Sequence, residues 1–259
     1  VKIIGKGVFM DKIVVNSYEE IYSIVSIIRS NFFNSDEIWF RGQGDSSFFL
    51  KPSLLRLKNG IKREKELFIE YKRLAAGINM SRDNDWETVI DMQHYGVPTR
   101  LLDWTSNLGT ALYFALSSSM ENGTMALFLL NPIKLNRLSD ISEIPILPPY
   151  NTQEFSYIKK YIDKKGEIGK YPIAAKSSFF NSRVKAQSGM FTIHGDEEYG
   201  AEIDIVSRSL KKDNVIYKIE ISQKAIESIR KYFEISGIND YTIFPDIEGI
   251  ARYLRGWIE

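Results

Sequence analysis

Fifteen consecutive positions, Met92-Gln-His-Tyr-Gly-Val-Pro-Thr-Arg-Leu-Leu-Asp-Trp-Thr-Ser106, gather a histidine, a tyrosine, an arginine, an aspartate, a tryptophan and several hydroxyls. His94 offers a general base near neutral pH, a hydrogen bond to a ribose or base, or a ring over the end of its own helix. Asp103, together with His94, offers a pair that activates water for hydrolysis. The cluster spans a helix end, a Gly-Val-Pro turn and the approach to a new helix, where rigid scaffolds present functional side chains. A purely architectural reading puts Tyr95 and Trp104 in the core, lets Asp103 or Thr105 cap the next helix and pairs Arg100 with Asp103.

A second concentration is Trp39-Phe-Arg-Gly-Gln43, followed by Phe49-Leu-Lys-Pro-Ser-Leu-Leu-Arg56. Arg41 at a strand end, beside Gly42, presents a planar fork of donors where a ligand can approach the backbone, which suits phosphate or ribose recognition. The competing reading is an arginine satisfied by a buried carboxylate such as Asp103. Lys51, Arg56, Lys58, Lys62 and Arg63 near aromatics form either a phosphate-contacting face or a solvated surface. His194, ending Met190-Phe-Thr-Ile-His, reads as structural or solvent-facing. Two histidines far apart, without acids at ligand spacing, give no metal signature. No phosphate-binding glycine loop, nucleophile elbow or kinase set is present.

The elements that must position these residues follow from periodicity. The chain has 259 residues, is 44% hydrophobic and carries no cysteine, so it builds a substantial core without disulfides, thiolate metal sites or a cysteine nucleophile. Its formal net charge of +1 gives no global attraction to nucleic acid or an anionic membrane. No apolar run approaches the roughly 20 residues of a spanning helix. Val1 to Ile4 show no secretory signal, so a cytoplasmic location is expected, and the absent initiator Met is read as a trimmed or a processed terminus. Strands are predicted near 7–15, 37–42, 124–130, 184–194 and 215–221. Helices are predicted over 17–29, 64–76, 85–94, 107–119, 150–162, 223–233 and 245–257, with 131–149, which holds four prolines, as a surface excursion. The mixture lacks a βαβα beat. It predicts an α+β fold, one domain over 1–259, with a mixed or antiparallel central sheet flanked by helices and residues 1–36 adding an N-terminal strand and helix.

Six segments in order carry a resemblance: Trp39 to Gln43, Lys51 to Arg56, Gln93 to Thr105, Ala111 to Ala115, Arg183 to Phe191 and Phe244 to Gly249. Together they resemble the signature of FRG-domain proteins, over about residues 37–255. A weaker resemblance is to arginine-class ADP-ribosyltransferases, in which an early Arg-Gly strand, a Ser-Thr-Ser strand, a helix with Phe-Ala and a later Gln-x-Glu strand recur. It implies an NAD-using bacterial effector, a toxin or antiphage protein, with a protein or nucleic-acid acceptor, a neutralising or regulatory partner, and no membrane. The implied catalytic set is Arg41, His94, Asp103, Thr105, Ser106 and Gln187, and the implied cofactor-binding set is Arg41, Gly42, Gln43, Tyr95, Arg100 and Tyr113. Arg41 would hold the pyrophosphate, and Thr105 or Ser106 the nicotinamide ribose. Gly189 departs from the pattern, since it stands where the catalytic acid is expected. An acid must then come from Asp103, Glu197, Glu198, Asp246 or Glu248, of which the last two also suit a helix first turn. Without one, the cleft is a binding module for a nucleotide, RNA or a protein.

Overall fold

A computed structural model describes residues 13–31, 33, 37–78, 84–121, 123–147, 155–165, 168–177, 185–196 and 214–258. Eight strands form one mixed sheet: β1 Ile13–Val15, β2 Trp39–Gln43, β3 Leu101–Thr105, β4 Met125–Leu130, β5 Ile146–Leu147, β6 Ile173–Ser177, β7 Gly189–Ile193 and β8 Ile216–Ile221. Their spatial order is β1-β8-β4-β2-β3-β7-β6-β5, antiparallel except at the outer pairs β1–β8 and β5–β6. The chain is thus α+β, as the irregular alternation of elements predicts. All six residues of β4 are buried, because the strand is central and both sheet faces are covered.

One face carries two groups of helices. Over the β1-β8-β4-β2 half lie α1 Tyr18–Asn31, α5 Leu108–Ser117 and a helix, α7, at Ile226–Ser236. Over the β3-β7-β6 half lie α3 Gly60–Ala75, α4 Asp85–His94 and a wide turn at Ile158–Ile162, packed through Phe68, Trp86, Ile90 and Tyr157. The other face is closed by Trp39, Trp104, Phe128 and Leu135, the last from α6 Pro132–Arg137. The short helices α2 Ser53–Arg56 and α8 Asp240–Ile243 and the terminal α9 Ile247–Arg255 complete the described elements. No helix among the described residues is long and apolar enough to cross a membrane.

Local chemistry sets the helix ends. The Asn84 side chain accepts from Trp86 N at 2.8 Å to start α4, and Gly96 at φ +77° follows its end. Asn107, rather than Asp103 or Thr105, caps α5, accepting from Thr110 N at 3.2 Å. Residues 131–149 are not an excursion as far as they are described. Asn131 caps α6, whose Asn136 accepts from Ala174 N at 2.7 Å and donates to Ala174 O at 2.9 Å, fastening this segment to β6. Asp246 is the cap of α9, accepting from Gly249 N at 3.0 Å, so Pro245 precedes the helix. Residues 7–12, 150–154 and 184 of the predicted elements lie outside the described residues.

The glycines of Phe40-Arg-Gly-Gln-Gly44 have one shared cause. A Cβ at Gly42 would lie 1.8 Å from Ala111 O, and one at Gly44 would lie 1.8 Å from Ser118 O. Helix α5 therefore rests backbone to backbone on β2 and its extension. The close approach at Gly42 is by this helix, not by a ligand. Gly42→Ala is expected to cost about 1–3 kcal/mol by overpacking, read as a lower urea midpoint; an unchanged midpoint would contradict this packing.

Candidate functional site

Strands β2 and β3 are neighbours in the middle of the sheet, yet they pair at one position, Phe40 with Thr105. Each is fully paired on its other side, β2 to β4 and β3 to β7. Beyond Phe40 the two strands separate. His194 N donates to Arg100 O, so the carbonyls of Arg100, Leu102 and Trp104 face β7, and those of Leu101, Asp103 and Thr105 face β2. Asp103 O thus opens onto the gap with no β2 amide to meet it. Arg41 Nη1 donates to it at 2.8 Å. The guanidinium forms no ion pair among the described residues. Burial lowers the Arg41 pKa, Asp103 opposes that shift and nearby Arg56 adds to it.

A cavity of about 460 Å³ occupies the mouth of this gap. Its floor is Phe40, Thr105, Gly189 and Phe191; α4 contributes Ile90, Gln93 and His94, and α5 contributes Thr110, Ala111 and Phe114. Arg41, Gln43, Phe48, Phe49, Lys51 and Arg56 come from β2 and the segment after it. Asp103 is the one carboxylate among its described lining residues, against the cations Arg41, Lys51 and Arg56.

A directional hydrogen-bond chain orients Asp103. Leu101 N donates to Thr99 Oγ1 at 3.0 Å, Thr99 Oγ1 donates to Gln93 Oε1 at 2.5 Å, and Gln93 Nε2 donates to Asp103 Oδ2 at 2.7 Å. Every link points the same way, so Oδ2 receives a proton donor and favours the ionised form. The carboxylate is reachable by solvent from the cavity but has protein on its other sides. Burial raises its pKa; the Arg41 guanidinium, the Gln93 hydrogen bond, its own backbone amide and His94 pull it back down. Asp103 is thus a carboxylate titrating above the ordinary range, fixed at one oxygen.

The remaining expected residues divide. His94 lines the cavity, its ring edge-on to Tyr95 with centroids 4.7 Å apart. Thr105 and Gln187 also reach it, but their polar groups serve the main chain. Thr105 Oγ1 donates to Gln187 O at 2.6 Å and accepts from Asn107 N at 3.0 Å, and Gln187 Nε2 donates to Ile243 O at 3.3 Å. Ser106 and Tyr95 are exposed and do not line the cavity, and Tyr95 is not core. Tyr113 is also outside, donating to Asp240 Oδ1 at 2.5 Å and joining α5 to α8. Asp246 is a helix cap, Glu248 pairs with Arg252 at 2.5 Å, and Glu197 and Glu198 lie outside the described residues. Reasoning from sequence missed the orienting role of Gln93 and Thr99. Their place in the same fifteen-residue run as Asp103 was the available signal.

Arg100 belongs to the core instead of a ligand site. It is 0% exposed, and Nε donates to Glu64 Oε1 at 2.8 Å while Nη2 donates to Glu64 Oε2. Nη1 donates to His194 O at 2.9 Å, and the Tyr161 ring lies 4.7 Å from the guanidinium carbon. Its acidic partners are Glu64 and, at 3.5 Å, Asp196, not Asp103, and Tyr157 donates to the Glu64 carboxylate. His194 is buried beside this cluster. Trp104 Nε1 donates to Thr192 Oγ1 at 3.0 Å, and the same hydroxyl lies 3.0 Å from His194 Nε2, sharing one hydrogen bond with the ring. Burial, then Arg100 and Arg41, push its pKa down to about 3. Unfolded, a histidine titrates near its ordinary value of about 6.5. Between these values the unfolded chain holds a proton that the folded chain lacks, so stability is present above about 6.5 and is lost as pH falls, by up to about 1.4 kcal/mol per unit. His194→Gln should remove this part of the slope in urea midpoints taken at about pH 4.5 and 7.5; parallel slopes in the two proteins would contradict it.

No curated protein and no solved structure matches the chain. One family model does, over residues 36–123, a stretch that runs from the start of β2 past α5 and holds Arg41, Gln93, His94 and Asp103 but not Gln187. That model is described as the FRG domain, and the residues it matches include β2, β3 and most of the described cavity lining.

Proposed function

We propose that the cavity binds NAD as a substrate and breaks its nicotinamide–ribose bond, delivering ADP-ribose to an acceptor, with Asp103 as the carboxylate that Gly189 does not supply. The observation that carries this reading is the oriented Asp103 in a cavity whose other charged lining residues are cations and whose walls also carry aromatic rings. Bond cleavage leaves the electron pair on nicotinamide and positive charge on the ribose carbon. A carboxylate fixed beforehand stabilises that charge without reorganising. Arg41 and Lys51 suit the pyrophosphate. Phe114, Phe191 and Phe244 suit flat rings. His94, on the same cavity wall, accepts the proton that the attacking acceptor sheds.

Thr105 and Gln187 take supporting roles in this reading, since their hydrogen bonds already join β3 to the segment that enters β7. Arg41 Nε and Gln43 Oε1 are buried without hydrogen-bond partners among the described residues, a donor and an acceptor two residues apart. Such groups cost about 1–3 kcal/mol each, and a bound ligand that turns either side chain toward itself recovers part of it. When water is the acceptor, the same His94 and Asp103 perform hydrolysis. NAD consumption of either kind suits a toxin or antiphage effector. The rival reading is a binding module without turnover, favoured by Gly189 standing opposite Thr105 in the strand ladder.

The test is nicotinamide release from NAD, with and without cell lysate as acceptor. Asp103→Asn should lower the rate about 100-fold or more while leaving the urea midpoint close to that of the parent. The rate should fall in acid with a midpoint above the ordinary aspartate value of about 3.9, because the ionised carboxylate is the active form and burial raises its pKa. A folded parent that releases no nicotinamide, or an Asp103→Asn protein of unchanged rate, contradicts the proposal.

A further inference from the structure

The rim of the cavity carries chemistry that NAD cleavage does not use. From Ser46 to Arg63 the sequence has five cations and no acid, in a chain whose formal net charge is +1. Arg63 pairs with Glu66 at 2.9 Å, whereas Arg56, Lys58 and Lys62 form no ion pair among the described residues. The segment is one compact corner rather than an extended loop. Gly60, at the start of α3, sits so close to α2 that an added Cβ would lie 1.8 Å from Leu54 O, and Leu54 N donates to Thr99 O at 3.1 Å. Arg56, Lys58 and Lys62 are exposed within a short stretch of this corner.

Two adjacent phenylalanines face solvent in the same stretch of chain and share the cavity mouth with Arg56. Phe48 and Phe49 are 50% and 72% exposed, while the next residue, Leu50, is 2% exposed. Phe48 N donates to Asp45 O and Lys51 N to Phe49 O, so a turn holds both rings outward at the cavity mouth. Leaving two phenyl rings in water next to unpaired cations matches a partner with flat faces and regularly spaced anions. A single-stranded nucleic acid has both. A duplex hides its base faces, and a lipid surface offers charge without stacking.

We propose that this corner docks single-stranded nucleic acid, with bases stacked on Phe48 and Phe49 and phosphates along Arg56, Lys58 and Lys62. The surface stands independently of the NAD reading; taken together with it, the docked strand is the ADP-ribose acceptor. The experiment is fluorescence anisotropy of the full chain with labelled single strands of about 12 nucleotides, from about 50 to about 200 mM KCl. Affinity should fall steeply with salt. The double variant Lys58→Gln/Lys62→Gln should flatten the logarithmic slope by about 1.4, at about 0.7 per phosphate contact. Phe49→Ala, at an exposed position, should weaken binding about 10-fold, and a duplex of equal length should bind more weakly and ignore that substitution.

No salt-dependent binding to single strands, binding indifferent to Phe49→Ala and to the charge variant, or uptake by phosphatidylserine vesicles in place of the oligonucleotide would each overturn the proposal. Nicotinamide release without strand binding refutes this surface and leaves the NAD reading standing. Strand binding without nicotinamide release does the reverse.

Discussion

The site depends on one incomplete strand pairing. β2 and β3 meet at Phe40 and Thr105 and then part, although each is fully laddered on its far side. A gap in the middle of a sheet leaves backbone groups without ladder partners, a loss that comparable proteins offset with side chains or ligands. Here Arg41 reaches across to the Asp103 carbonyl, so the strands stay apart without leaving that oxygen bare. The helices on this face are divided along the same line, with α5 seated on β2 and α4 over β3. The cavity is the space between them.

Two arginines show how placement decides the role of one residue type. Arg100 is fully buried against Glu64, with Asp196 at 3.5 Å, the His194 carbonyl and the Tyr161 ring also around it. Its charge is spent inside the core, where removing one partner of a buried pair is strongly destabilising. Arg41 instead makes one hydrogen bond to a main-chain oxygen and remains near Arg56 and Asp103 at the cavity wall. Its charge is still available to an anion. The same contrast separates His194, locked neutral between Thr192 and the core, from His94 at the cavity edge.

Much of this was legible in the residues. Asp85–His94 and the glycine after it were bounded correctly because asparagine capping and a left-handed glycine are local signals. Strand β3 was not recognised. Leu-Leu-Asp-Trp-Thr lies between a Gly-Val-Pro turn and a helix, and its two-residue alternation is broken by adjacent leucines that bury on opposite faces. The four-proline segment looked like a loop because the force fastening it, Asn136 bonded to Ala174, acts between distant residues. For the same reason Arg100 and Tyr113 read as ligand-facing. Their partners, Glu64 and Asp240, are 36 and 127 residues away. Convergence of Arg41, His94 and Asp103 was foreseeable from motif density, whereas the Gln93 amide that aims Asp103 became visible only once α4 and β3 lay side by side.

The account therefore rests on Asp103 as an ionised, oriented group facing a pocket whose other charges are positive. The most direct measurement is a crystal structure of the protein soaked with ADP-ribose. Diphosphate density against Arg41 and Lys51, with the terminal ribose within hydrogen-bond distance of Asp103, is the result expected. Ligand bound elsewhere, or a cavity that stays empty at saturating concentration while the protein remains folded, would contradict it.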